Sequence, residues 1–111
     1  MLAFHRDRVV GFALVHCPQL SRLKGIGDFL IYVHRNYQKQ GLGTFLTNAI
    51  LEEAKKEGLH RIWLEVVTDN LPAVRCYEKC GFVREDAMRD AYFGDDGTYH
   101  DMLIMARILS R

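Results

Sequence analysis

The chain reads as one α/β domain over residues 1–111. Strand-type segments lie at both ends, two stretches of helical period lie between them, and the apolar runs beside those helices have the continuous character of strands inside a sheet. The order is strand, strand, strand, helix, strand, helix, strand, strand. At 111 residues the chain is long enough for a single core that withdraws roughly two thirds of the unfolded surface from water.

"MLAFHRDRVVGFALVHCP" predicts a hairpin: strands at 2–5 and 9–17, a tight polar turn at Arg6 to Arg8, and a stop at Pro18. The loop "QLSRLKGIG" leads to "DFLIYVH", whose unbroken apolar character predicts a third strand covered on both faces. From Leu42 the period changes. Leu42, Phe45, Leu46, Ala49, Ile50 and Ala54 recur at three and four as the inward stripe, Glu52, Glu53, Lys55, Lys56 and Glu57 face outward, and Gly58 closes the helix. "RIWLEVV" is a central strand. Asn70 as N-cap, Pro72 in the first turn and Gly81 just past the end define a short second helix. "FVREDAMRDAYF", the turn "GDDGT" and "YHDMLIMARIL" form a closing hairpin. There is no repeat, low-complexity tract or linker.

Composition removes several function classes. With 49% hydrophobic and 26% charged residues the chain is an ordinary globule rather than a disordered one, and a net charge of +1 leaves no basic footprint for nucleic acid. Cys17, Cys76 and Cys80 lack paired C-x-x-C spacing and read as free thiols of a reducing, cytoplasmic protein, the latter two packing on the second helix. "VVGFALV" is too short to span a bilayer and has no small-residue cleavage site, so neither a membrane anchor nor a signal peptide is expected. His34 has no second ligand at metal spacing, and His5, His16, His60 and His100 read as surface or strand residues; no metal is assigned.

The informative stretch is "VHRNYQKQGLGTFL", where Gly41 and Gly43 stand at a helix start although Gly there is about 1 kcal/mol worse than Ala. A glycine turn between strand and helix leaves backbone N–H groups pointing outward at the positive end of the dipole, which suits a phosphate; alternatively the glycines permit close packing of helix on strand. Neither the P-loop nor the dinucleotide fingerprint is present. "QKQGLG" does resemble the Arg/Gln-x-x-Gly-x-Gly/Ala motif of the GCN5-related N-acetyltransferase (GNAT) family. "NLPAVRCYEKCGF" is similar to that family's second signature, through Asn70, Ala73, Tyr77, Gly81 and Phe82. With the closing hairpin, the resemblance covers the whole chain and corresponds to the C-terminal three quarters of a usual family domain.

The resemblance implies a GNAT-like fold: a mixed, mostly antiparallel sheet with flanking helices, whose central parallel strands splay apart. It is shortened at the N-terminus by one strand and two helices that form a wall of the acceptor site. It implies acetyl-CoA as cosubstrate, with no metal. The pyrophosphate would meet the loop amides from Gln38 through Lys39, Gln40, Gly41, Leu42 and Gly43 to Thr44, and the pantetheine arm would pair with Ile31 and Val33. The Val33 N–H would polarise the thioester carbonyl. Arg35 and Lys39 attract the remaining phosphate or are simply solvated, and Asn70 reaches the cofactor or only caps its helix.

A carboxylate within "RIWLEVV" is costly to bury unless paired or functional. By likeness to the ribosomal-protein alanine acetyltransferases, Glu65 would be the base, through water, and Tyr77 the acid, since a phenol of pKa about 10 suits a departing thiolate. The structural alternatives are an ion-paired Glu65 and a core aromatic Tyr77. The implied acceptor is a primary amine, on a peptide N-terminus or a small molecule, attacked directly in a ternary complex rather than through an acyl-cysteine. The rival reading is a non-catalytic acyl-CoA-binding or dimerising module, and an uncovered apolar wall would favour a homodimer.

Overall fold

Local chemistry places each element of the computed structural model, which describes residues 1–38 and 41–110. Arg6 and Asp7 both take positive φ, 50° and 65°, the two-residue geometry whose twist matches a hairpin, and they join β1 (Leu2–His5) to β2 (Arg8–His16). Next come β3 (Ile26–Val33) and α1 (Leu42–Lys56), then β4 (Arg61–Val67) and α2 (Leu71–Lys79), and finally the hairpin of β5 (Val83–Phe93) and β6 (Tyr99–Ile108). Short 3₁₀ turns occupy Ser21–Leu23 and Arg35–Tyr37. β3 starts two residues before the predicted strand because Ile26 and Gly27 pair with Arg61 and Ile62.

The six strands form one sheet in the order β1-β2-β3-β4-β6-β5, and β3–β4 is its one parallel pair. That pair is short, running through Ile26↔Arg61 and Gly27↔Ile62 and ending at Asp28↔Trp63. Beyond it β3 stays on β2 as far as Gly11↔Val33, while β4 stays on β6 as far as Val67↔Met102. The sheet therefore forks at its centre, as the family resemblance implied.

Both helices pack on one face of this sheet. Ala13, Phe29, Ile62, Leu64, Val66 and Met105 supply the sheet side of the core, Leu46, Leu51 and Ala54 the α1 side, and Val74, Cys80 and Phe82 the α2 side. Thr47, the one buried polar residue among those described, donates to the Gly43 carbonyl at 2.7 Å and so carries no unmet bond. The second helix is fastened at both ends. Asn70 Oδ1 accepts from the Ala73 N–H at 3.3 Å; at the other end Gly81 turns at φ 92° and Arg107 Nη1 donates to the Cys80 carbonyl at 2.8 Å.

Two expectations about burial are corrected here. β3 is covered on one face only, with Leu30 and Tyr32 53% and 50% exposed on the other. Phe45 is 67% exposed: α1 packs against β2, β3 and α2, which centres its inward arc on Leu46, Thr47, Leu51 and Ala54. The Phe45 ring instead borders a hollow of about 500 Å³ with Phe4, His5 and Tyr37. The bare face shows in the area budget: the chain exposes 7889 Å², against roughly 6,300 Å² for a compact globule of this mass. No helix among the described residues is long and apolar enough to cross a membrane.

His100 proves to be more than a strand residue. Its Nδ1 lies 2.9 Å from Asp69 Oδ2 and its Nε2 3.0 Å from Asp96, which ties β6 and the β5–β6 turn to the loop before α2. Both partners are acceptors, so the full bridge needs the imidazolium, since a neutral ring donates from one nitrogen only. Hydrogen bonds to Asp96 and then Asp69 raise the His100 pKa, and bonding to His100 and Thr98 lowers that of Asp96 to about 2. A raised histidine contributes below its ordinary value of about 6.5 and loses that contribution as pH climbs through the folded value; a depressed aspartate contributes above about 3.9 and loses it toward 2. The bridge is therefore complete between about pH 4 and 6.5.

Two outcomes are expected. In an NMR titration His100 should protonate with a midpoint above 6.5, falling in Asp69→Asn; a midpoint at or below 6.5 in the unaltered protein contradicts the bridge. Gly27→Ala should lower stability by about 1–3 kcal/mol in denaturant unfolding, because the new Cβ meets Val15 Cγ1 and crowds Ile62 Cδ1 at 3.1 Å where the parallel pairing is made.

Candidate functional site

The fork leaves backbone groups facing an opening. His34 N–H donates to Val10 O at 2.7 Å, and antiparallel bonding alternates, so Ile31 and Val33 turn their N–H and C=O away from β2. They point to the side where β4 has parted. One of these groups is already engaged: Gln38 Nε2 donates to the Val33 carbonyl at 3.0 Å. Phe29, the first residue of β3 past the last parallel pair, packs its ring 6.3 Å from Tyr77 and 6.1 Å from Phe82, filling the helix side of the fork.

Across this opening stands the start of α1. Its N-cap is Gly41 in left-handed conformation, φ 79°, which explains glycine at that position. The cap has no side-chain bond and the first turn holds no acidic residue, so among the described residues no side chain at the cap accepts from the leading N–H groups of the helix. Gly43 needs a different explanation. Nothing lies within 4 Å of where its Cβ would stand, so close helix-on-strand packing does not account for it; the missing side chain leaves open space at the helix start.

That space belongs to a cleft of about 590 Å³. Ile31, Val33 and Gln38 form one side, Gly41, Gly43 and Thr44 the second, and the α2 residues from Asn70 to Lys79 the third. Thr44 Oγ1 and Cys76 Sγ, 3.3 Å apart, join the two helices. Tyr77 lines the cleft with its ring edge-on to Phe29 and Phe82, both within 6.3 Å. Burial, reinforced by Cys76 and Cys80, pushes its phenol up to about 12, so it is a protonated hydrogen-bond donor throughout the neutral range. Cys80 is buried and its thiol is pushed up to about 11, first by desolvation, as suits a packing residue.

The sequence-predicted residues thus divide. Ile31, Val33, Gln38, Gly41, Gly43, Thr44, Asn70 and Tyr77 meet at one cleft, and Leu42 begins the helix beside it. Lys39 and Gln40 lie outside the described residues. Glu65 does not line the cleft: it stands exposed on the bare face of the sheet with Trp63 and Val67, opposite Ile104, past the point where β3 and β4 part. It makes no hydrogen bond or ion pair with a described residue, so neither a burial penalty nor a structural salt bridge accounts for it. Sequence reading missed Arg75 and Lys79, which line the cleft; their spacing from Pro72 and Cys76 was the available signal. Among the described residues no cluster of three or more His, Cys, Asp or Glu could hold a metal ion.

Comparisons with known proteins agree with this geometry. Residues 1–82 match the model of the acetyltransferase (GNAT) family. The chain is 39% identical over 82 residues to a [ribosomal protein bS18]-alanine N-acetyltransferase of Escherichia coli strain K12, covering 74% of this chain and 55% of that one. It is 30% identical over 99 residues to a spermidine N(1)-acetyltransferase of Vibrio cholerae, covering 88% and 57%. It therefore spans a little over half the length of these curated relatives. Among solved structures, a GNAT-family acetyltransferase from Streptococcus pneumoniae superposes with a TM-score of 0.92 at 31% identity, covering 96% of this chain and 64% of that one. A forked sheet with an open helix start at its mouth and a match over residues 1–82 lead to one conclusion: the chain belongs to the GNAT acetyltransferase family.

Proposed function

We propose that this chain is an acetyl-CoA-dependent N-acetyltransferase that moves an acetyl group from acetyl-CoA to a primary amine by direct attack in a ternary complex. The observation that carries the reading is the fork: the Ile31 backbone groups and the Val33 N–H, unpaired among the described residues, open into a cleft whose far wall is a helix start without a side-chain cap, fronted by open space at Gly43. That arrangement fits acetyl-CoA in two places. The first-turn N–H groups of α1, with the Gln38, Lys39 and Gln40 segment before it, suit a diphosphate; the free edge of β3 suits an extended amide-bearing arm, which it would bind as an added strand.

When bound, acetyl-CoA supplies the activated acetyl group as a thioester. The chain's own residues then divide the work. The Val33 N–H polarises the carbonyl, as a preorganised donor does best where charge develops. Tyr77 donates a hydrogen bond to the sulfur as it leaves. With its phenol at about 12 and an ordinary thiol at about 8.5, full proton transfer is uphill by roughly three and a half pH units, so Tyr77 stabilises the departing charge chiefly as a donor rather than as a strong acid. Glu65, on the bare face, takes a proton from the incoming ammonium through water, and the acceptor enters from that side of the fork. Asn70 has its side chain committed to the Ala73 N–H and serves by holding α2 in place.

The acceptor best suited to an exposed carboxylate base is an α-amine, since its pKa near 8 leaves roughly a tenth of it neutral at pH 7, against less than a thousandth for a lysine ε-amine. The alanine N-acetyltransferase relative favours the same choice.

Release of CoA from acetyl-CoA, followed over a panel of N-terminal peptides, amino acids and polyamines, tests the reading; silence across the panel with intact CoA binding favours the non-catalytic binding module. Glu65→Gln and Tyr77→Phe should each lower kcat by about a hundredfold or more while the KM for acetyl-CoA stays within about threefold, and an undiminished kcat in either removes that residue from the chemistry. Gly43→Ala should leave the melting temperature unchanged or raise it, since Ala gains up to about 1 kcal/mol in a helix, yet weaken CoA binding about tenfold or more in calorimetry. Undiminished binding in that variant would refute the role of the open helix start.

A further inference from the structure

We propose that Arg75 and Lys79 form a clamp for the ribose 3′-phosphate of coenzyme A, making the cleft selective for the full coenzyme over its 3′-dephospho form. This rests on the acetyl-CoA reading above and adds a recognition element to it. Pro72, Arg75, Cys76 and Lys79 follow one another at intervals of three, one and three, which gathers them on one stripe of α2, and all four line the cleft. Within that stripe Cys76 touches α1, its Sγ 3.3 Å from Thr44 Oγ1 on the first turn of that helix. The two cations therefore flank the place where α2 meets the helix start assigned to the diphosphate.

Neither cation is engaged elsewhere among the described residues. Glu78, the carboxylate between them in sequence, is turned toward Arg84 at 3.5 Å, and neither α1 nor α2 has an acidic residue in its first turn. Two positive charges without a partner among the described residues thus border the cleft. Coenzyme A carries one further dianionic phosphate on its ribose, beyond the reach of main-chain amides clustered at one helix start. Long side chains bridge that gap: Arg binds phosphate through paired N–H groups and Lys as a mobile point charge. Arg35, the other candidate from the sequence, is exposed on its 3₁₀ turn and does not border the cleft.

Both side chains are solvent-exposed, so the attraction is screened and must weaken as salt rises past the point where the Debye length falls below about 10 Å. The experiment is calorimetric titration of the whole chain with CoA and with 3′-dephospho-CoA, at low and physiological salt. It compares the unaltered protein with Arg75→Ala, Lys79→Ala, the double variant, and Lys56→Ala as a distant cation control. The unaltered protein should prefer CoA by about tenfold or more, a preference that shrinks with salt. The double variant should bind both ligands alike, with an affinity for 3′-dephospho-CoA within about twofold of the unaltered value, and Lys56→Ala should keep the full preference. Equal binding of the two ligands by the unaltered protein overturns the clamp while leaving the acetyl-CoA reading standing. A double variant that keeps the preference, or that loses both ligands equally, also overturns it. Failure of CoA itself to bind the unaltered protein overturns the acetyl-CoA reading and the clamp with it.

Discussion

The site depends on the ending of one hydrogen-bonded ladder. After Asp28 and Trp63 the parallel strands β3 and β4 stop pairing, and each survives the separation because it has a second partner, β2 on one side and β6 on the other. A strand with no such partner would lose its whole ladder, whereas here only the inner edges are freed. Backbone polar groups withdrawn from water need bonds, so the freed groups of Ile31 and the Val33 N–H must be met by solvent or by a ligand, while the Val33 carbonyl already accepts from Gln38 Nε2. The rings of Phe29, Tyr77 and Phe82 fill the helix side of the fork and set how the opening is floored.

The two helices treat their ends in opposite ways, and the contrast follows from where those ends lie. α2 is closed at its start by Asn70 and at its finish by Gly81 and Arg107, which fixes the wall that carries Tyr77, Arg75 and Lys79. α1 begins at a left-handed Gly41 with no side-chain cap, a choice that costs about a few tenths of a kcal/mol against a polar N-cap. Stability is thus withheld at the helix end that faces the cleft and supplied at the ends that position it, the pattern expected where a local rule is broken at a functional site.

The fork also separates two environments. On the helix side Tyr77 sits among aromatic and sulfur groups that keep its proton on the phenol, while Glu65 lies in the open on the other face. A donor held in a desolvated pocket and an acceptor held in water would suit the proposed transfer between sulfur and amine. The bridge from His100 to Asp69 and Asp96 stands beside the α2 entry and couples the closing hairpin to the loop before Asn70.

The amino-acid sequence by itself determined the elements and the glycine-marked start of α1. The bounds of β4 at Arg61–Val67 and the N-cap of α2 at Asn70, like the helix start beside Gly41, follow from caps, periodicity and glycine conformation, which act over a few residues. Tertiary structure alone decided what covers each face. Leu30, Tyr32 and Phe45 had the pattern of core residues yet lie exposed, because periodicity says which side chains share a face and not whether another element packs on it. It also decided that Glu65 and Tyr77 stand on opposite sides of the fork, that Gly43 fronts empty space rather than a neighbouring strand, and that His100 meets two aspartates. Each of these depends on distances between segments remote along the chain, and those are settled only when strands pair and helices dock.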